Sequence, residues 1–358
     1  MRRPRFAGLL LGLLVLTVLA WAPPAAAAPS KCLVINNALN ANYTSLQAAQ
    51  DAASPGATLW VRGTCTGTTE ITKDLTLTGQ QPRGFTSPTL NGGGQGSVLT
   101  IDGGVTVTIN TLTITGGSGT YVPELETVVG GGILNNDNGS VTLNGTSITG
   151  NTAPYGGGIA NIANGGSVTL NDTSITGNTA GTNGGGMLNS GTVTLNGTSS
   201  ISGNTARQDS GGILSVSGSV TLNDTSSITG NTAAGGDGGG IGNNTGAVTL
   251  NDTSSITDNT APNGGGILNL AGSVTLNNSG SITGNTAGSV GGGIYNLFGT
   301  VTLNNSTTIT GNTAGTDGGG IYNNFTFGGS VALNDTSSIT GNNPNNCAPP
   351  GSVPGCTG

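Results

Sequence analysis

The stretch Ser219–Asn243, "SVTLNDTSSITGNTAAGGDGGGIGN", decides how most of the chain folds. It holds three short apolar pieces, Val220–Leu222, Ile228 and Ile241, separated by Gly, Asn, Asp and Ser. None is long enough for an arm of a hairpin meander, and no 3.6-residue period links them. The same order recurs on both sides. Aligning on the Leu of "VTLN" or "VALN" gives Leu143, Leu170, Leu195, Leu222, Leu250, Leu276, Leu303 and Leu333, at steps of 25 to 30 residues. Self-similarity at that period marks a solenoid, with loops at the corners absorbing the variation in length. The sequence therefore predicts an all-β fold, a right-handed parallel β-helix. Each coil has about 27 residues and three short strands, each strand pairing with its copy in the next coil. The hand follows from the preference of parallel crossovers.

Within one coil, alternation turns Val220 and Leu222 inward and Thr221 outward, and Ile228 and Ile241 supply two more walls. Four apolar side chains cannot fix a coil alone, so stability must come from stacking. Three rows of asparagine fit that need. One follows the Leu (Asn144 to Asn334), one precedes "TA" or its equivalent (Asn151 to Asn342), and one follows the Gly-rich strand (Asn135 to Asn323, with Ser215 as the exception). They are expected to form amide ladders along the stack and to occupy left-handed corners.

The ends depart from the template. Residues 1–27 read as a secretory signal peptide: Arg2, Arg3 and Arg5, an apolar run from Leu9 to Ala22, then Ala25–Ala28, with cleavage after Ala27. No other stretch is apolar enough to cross a bilayer as a helix. Residues 28–129 are expected to hold a capping helix and irregular early coils. The helix should start near Ser45, bury Leu46, Ala49 and Ala53, and stop at Pro55-Gly56. Residues 130–342 carry the regular coils, and the Pro-rich 343–358 closes the stack because it cannot continue the ladder. Four cysteines in an exported chain favour disulfides, and proximity favours Cys32–Cys65 and Cys347–Cys356.

Charge narrows the partners. Eight bases against fifteen acids give a net charge of −7, and loss of the leader removes three arginines. Nucleic acid and anionic membrane surfaces require clustered Lys and Arg, which this chain lacks. It has no histidine and no paired-cysteine zinc spacing, so no cofactor is expected.

Few residues break the template. Tyr121, Glu124 and Glu126 share an insertion between Gly116 and Gly132, and Arg207 and Asp209 share another. Tyr295 and Tyr322 repeat at one position with Phe298, Phe325 and Phe327 nearby, which offers either a sugar-stacking platform or a plain aromatic ladder. Asp224 and Asp252, one coil apart, are weak candidates for holding a cation, against a simple role as solvated turn residues. Outward Ser-x-Thr rows flank each Ile, as at Ser227 and Thr229. Such an array suits a regular polymer or, less readily, ice. No carboxylate pair or Arg-centred cluster is set apart from the repeat, so no catalytic residue is assigned.

The segment "YTSLQAAQDAASPGATLWVRGTC" followed by "ITKDLTLTG" resembles the entry of right-handed parallel β-helix proteins of the pectin-lyase-like superfamily. The body resembles polymorphic outer membrane protein repeats, with "GGGI" at Gly239–Ile241 for their Gly-Gly-Ala-aliphatic element. "ITGN" at Ile228–Asn231 stands for their Phe-x-x-Asn, with Ile replacing Phe. The resemblance implies an exported, cell-surface protein of adhesin type, and outer-membrane association follows from it alone. The sequence-level expectation is thus a secreted or surface rod of eleven to twelve coils. It would bind extracellular glycans or surface proteins without catalysis; the alternatives are a polysaccharide lyase or hydrolase of the same fold, an ice-binding surface, or a spacer.

Overall fold

The computed structural model describes residues 31–162 and 165–357. The signal-peptide assignment falls outside them. The chain forms a parallel β-solenoid of about ten turns with about 27 residues per turn, 46% strand and 4% helix.

Each regular coil has four walls rather than the three expected. In chain order they are a Val-Leu sheet (Ser219–Leu222 in the quoted coil), an Ile sheet (Ser227–Thr229), a Thr-Ala sheet (Thr232–Ala233) and a Gly-rich sheet (Ile241–Asn243). The register is residue on residue. Val220 lies between Val193 and Val248, Ile228 between Ile201 and Ile256, and Ile241 between Ile213 and Ile267. Val220, Leu222, Ile228 and Ile241 are fully buried and join one continuous core along the stack.

The Thr-Ala strand is only two residues long in most coils, with too little apolar content to announce itself. Its Ala233 is buried nonetheless. The Gly-rich segment explains how the chain leaves it. A Cβ at Gly239 would sit 2.6 Å from the Thr260 carbonyl oxygen of the next coil, so only glycine lets the two backbones pass.

The asparagine rows form ladders, but they do not occupy the left-handed corners. Those belong to their neighbours. The residue after the first Asn is left-handed, as at Asp172 (φ 48°), Asp224 (58°) and Asn305 (58°). So is the residue before the second, as at Gly230 (63°) and Asp258 (55°). The second row is fully buried over most of its length. Asn231 Nδ2 donates to the Asn259 Oδ1 at 3.0 Å, the Ile201 carbonyl at 2.9 Å and the Thr229 carbonyl at 3.2 Å. Every polar atom of the amide is thereby satisfied without water.

Both ends are closed. The helix Leu46–Ala52 is N-capped by Ser45, whose Oγ accepts the Ala48 N–H at 3.2 Å, and it buries Leu46 and Ala49, with Ala53 beside them. Strands Leu33–Asn36 and Ala41–Tyr43 lie antiparallel across the first rung, so they belong to the cap rather than to a coil. The stack holds about ten turns against the expected eleven to twelve. The Cys32–Cys65 disulfide pins this cap to the first strand of the Ile sheet. At the far end Cys347–Ala348 still pairs in parallel with Ile321–Tyr322, so the ladder runs one strand further than the prolines suggest. The tail then ends the amide rows: the Asn323 Nδ2 donates to the Ser352 carbonyl at 2.8 Å, and the Asn342 N–H to Asn346 Oδ1 at 3.0 Å. The Cys347–Cys356 disulfide holds it there.

Candidate functional site

The template acids are tied into the scaffold. Asp224 and Asp252 do occupy adjacent rungs, but Asp224 Oδ2 accepts the Gly197 N–H at 2.8 Å. Asp252 accepts the Asp224 N–H at 3.3 Å and the Asn278 amide at 3.2 Å. Asp172 does the same job for Thr198, whose N–H and hydroxyl hold its carboxyl below the usual range. Each carboxylate stitches one left-handed corner to the next. Among the described residues no three of His, Cys, Asp and Glu converge as a metal site.

Tyr121, Glu124 and Glu126 lie together on a hairpin. Strands Thr120–Val122 and Thr127–Val129 are antiparallel, joined by a 3₁₀ turn at Pro123–Leu125 and a left-handed Glu126. The hairpin begins the Thr-Ala sheet and buries Val122 and Val129 against Leu134, Ala160, Leu188 and Leu214, a second apolar cluster outside the main core. Tyr121 and the two glutamates stay exposed. Glu124 adds to the field that raises the Asp137 carboxyl, whose main cause is the hydrogen-bonded Asp102.

Arg207 is exposed at a corner, whereas Asp209 belongs to a fourth side-chain ladder that sequence reading missed. It runs through the residue just before the Gly-rich strand. Asn183 Oδ1 accepts the Asp209 N–H at 3.0 Å, Asp209 Oδ1 accepts the Asp237 N–H at 2.9 Å, and Asp237 Oδ1 accepts from the Asn263 amide at 2.9 Å. The signal was present as an Asn/Asp column broken by Val290. Burial pushes the Asp237 carboxyl up, and the Asp209 charge adds to it. Burial likewise raises the Tyr295 hydroxyl, with Asp237 contributing, so these groups share one neighbourhood. Tyr295 and Tyr322 meet edge to face, centroids 5.7 Å apart and planes at 70°, and present no common flat platform.

One further irregularity sits beside them. Ser210 takes the left-handed position that glycine holds in other coils (φ 62°), and its buried Oγ has no hydrogen-bond partner. It packs where a Cβ on Gly242 would stand, and Gly242 is the glycine in a row otherwise Leu, Ala or Tyr.

The hydroxyl rows of the Ile sheet are partly used internally. Thr257 Oγ1 donates to Thr229 Oγ1 at 2.9 Å, and Ser174 Oγ to Ser147 Oγ at 3.3 Å. The larger concave feature lies elsewhere, at the corner where the Gly-rich sheet turns into the Val-Leu sheet. A trough of 810 Å³ runs across five coils, from Ser190–Thr192 to Phe298–Thr300. Its lining is Ser, Thr, Gly and Ala, closed at one end by Phe298, with no charged residue. Its corners are short: one residue, Ser190, separates Asn189 from Gly191, and two separate the matching positions in each of the next four coils. The corner after Asn323 instead carries the 3₁₀ turn Phe325–Phe327. Phe298 and Phe327 are in contact, centroids 5.5 Å apart and tilted by 42°.

The fold therefore defines a parallel β-solenoid with disulfide-closed ends. Residues 306–324, running from the Ile strand through "ITGN" to "GGGIYNN", match the Chlamydia polymorphic membrane protein repeat. No curated protein and no solved structure matches the chain, so the pectin-lyase-like part of the resemblance finds no counterpart. No helix among the described residues is long and apolar enough to cross a membrane, which says nothing of β-barrels.

Proposed function

We propose that the protein is an exported, surface-associated β-helical module that binds an extracellular glycan or protein without transforming it. The single observation that carries this reading is the contrast between its acids and its trough. The template carboxylates are spent on backbone N–H groups of neighbouring coils, while the long depression along the corner is neutral and hydroxyl-rich. The repeat match and the two disulfides support a surface setting. A net charge of −7 with few Lys and Arg supports partners other than nucleic acid. The test is to incubate the mature chain with neutral and uronic-acid polysaccharides, with and without calcium, and to assay both retention and chain cleavage. Retention without new chain ends is expected; reproducible cleavage would overturn the reading.

One observation favours a second reading, a glycoside hydrolase of the same fold. Asp237, with its raised carboxyl, lies one rung from Asp209, and hydrolysis uses an acid of that kind beside a second carboxylate. If cleavage is found, loss of it in Asp237→Asn assigns it to this pair.

A further inference from the structure

We propose that the corner trough takes an uncharged linear glycan laid along the solenoid axis, with Phe298 as the stacking face at its end. The inference rests on the binding-module reading above and names the ligand class and the place. Five corners span four rung spacings, about 19 Å at the usual strand separation. An oligosaccharide laid along the axis would therefore cross five successive corners.

The lining selects the chemistry. Ser190, Thr192, Ser217, Thr245, Ser273 and Thr300 bring hydroxyls; those of Ser217 and Thr245 donate to the Ser190 and Val216 carbonyls and offer a sugar hydroxyl their lone pairs. No Lys or Arg lines the trough, so a uronate or sulfated chain would bring charge to a surface with nothing to neutralise it. A polypeptide strand is equally ill served. The corner amides are already bonded along the stack: Val216 N–H to the Asn189 carbonyl at 2.8 Å, Ala271 to Asn244 at 2.7 Å, Phe298 to Leu270 at 2.7 Å. A peptide adding to a sheet needs such groups free.

The apolar side chains agree. Of seven exposed large hydrophobics among the described residues, Phe298, Phe325 and Phe327 cluster on two successive corners, with Val216 three coils earlier in the same series, and Phe298 and Phe327 are 48% and 60% exposed. Scattered exposure is ordinary, but clustering beside a hydroxyl-lined trough is not. An aromatic face gives the C–H face of a pyranose an apolar partner while its hydroxyls reach the trough.

The experiment is calorimetric titration of the mature chain with neutral hexaoses (cello-, manno-, xylo- and malto-series) and with oligogalacturonate as the charged probe. At least one neutral hexaose should bind and oligogalacturonate should not. Phe298→Ala should weaken that binding about tenfold, and Thr245→Arg should abolish it by filling the trough. Tyr295→Ala should leave affinity within twofold, with circular dichroism confirming the fold of each variant. Neutral binding that survives both trough substitutions would overturn the location yet leave the binding-module reading standing. Preference for oligogalacturonate, or competition by an unfolded polypeptide, would overturn the ligand class. Silence from every neutral hexaose at millimolar concentration would overturn the proposal. Retention of some other glycan or protein on an array would then keep the broader reading, and a blank array would end both.

Discussion

At the residue scale, the exceptions to the template carry the most testable consequences. The third asparagine row breaks at Ser215: Asn189 reaches only its Oγ at 3.5 Å, and the Oδ1 of Asn243 one coil on is buried without a partner. Ser215→Asn should restore the row and raise unfolding free energy by about 1 kcal/mol in denaturant titration. An unchanged midpoint would show that the orphaned oxygen costs nothing. Ser210→Gly should also stabilise, by about 1 kcal/mol, because it removes a left-handed non-glycine residue and an unpartnered hydroxyl. Gly242→Ala in the native background should destabilise, since its Cβ meets Ser210 Oγ, and Ser210→Gly should rescue it. For Asp237 the sign is that of a raised acid. The folded state prefers the protonated form, so its contribution favours folding at low pH and is lost as pH rises from 3.8 through the folded value. Asp237→Asn should therefore stabilise at pH 7 and not at pH 3, as read by denaturant midpoints at the two pH values.

At the scale of the element, the inward pattern was plain in the sequence, because Val220, Leu222, Ile228 and Ile241 repeat with fixed chemistry in every coil. The Thr-Ala wall was not. Two residues give no periodicity, and what makes them a strand is the register imposed by their copies above and below. The asparagines were legible as ladders but not as backbone, since side-chain engagement along the stack is a property of neighbouring coils. Their weight can be measured. Asn231→Ala removes an amide buried at every atom and strands the buried Asn204 N–H, whose acceptor is the Asn231 Oδ1 at 2.9 Å, which should cost about 3 kcal/mol. The same change at the half-buried Asn223, whose amide donates to Asn196 at 2.9 Å beside solvent, should cost about 1 kcal/mol. Equal losses would show that burial does not set the value of a ladder.

At the scale of the molecule, the solenoid turns a small set of residues into a long surface closed at both ends. The disulfide pairs and the capping helix were readable because they sit where the template fails. The trough was not, because it arises from a run of five short corners that ends at the longer one after Asn323 and from phenylalanines in two successive coils. Candidates chosen by residue type, such as Asp224 with Asp252 or Tyr295 with Tyr322, were drawn into the scaffold or set edge to face. The proposed recognition falls instead to residues too plain to stand out, Ser, Thr and Gly on a corner. The central claim is that the repeat is scaffold and this corner is where it binds. A crystal structure of the protein grown with a neutral linear hexaose tests it most directly. The account predicts sugar rings lying along residues 190–192, 217–219, 245–247 and 271–273, with a terminal ring on Phe298. Sugar bound on the outer sheet faces or at Tyr295 and Tyr322, with the trough empty, would contradict it.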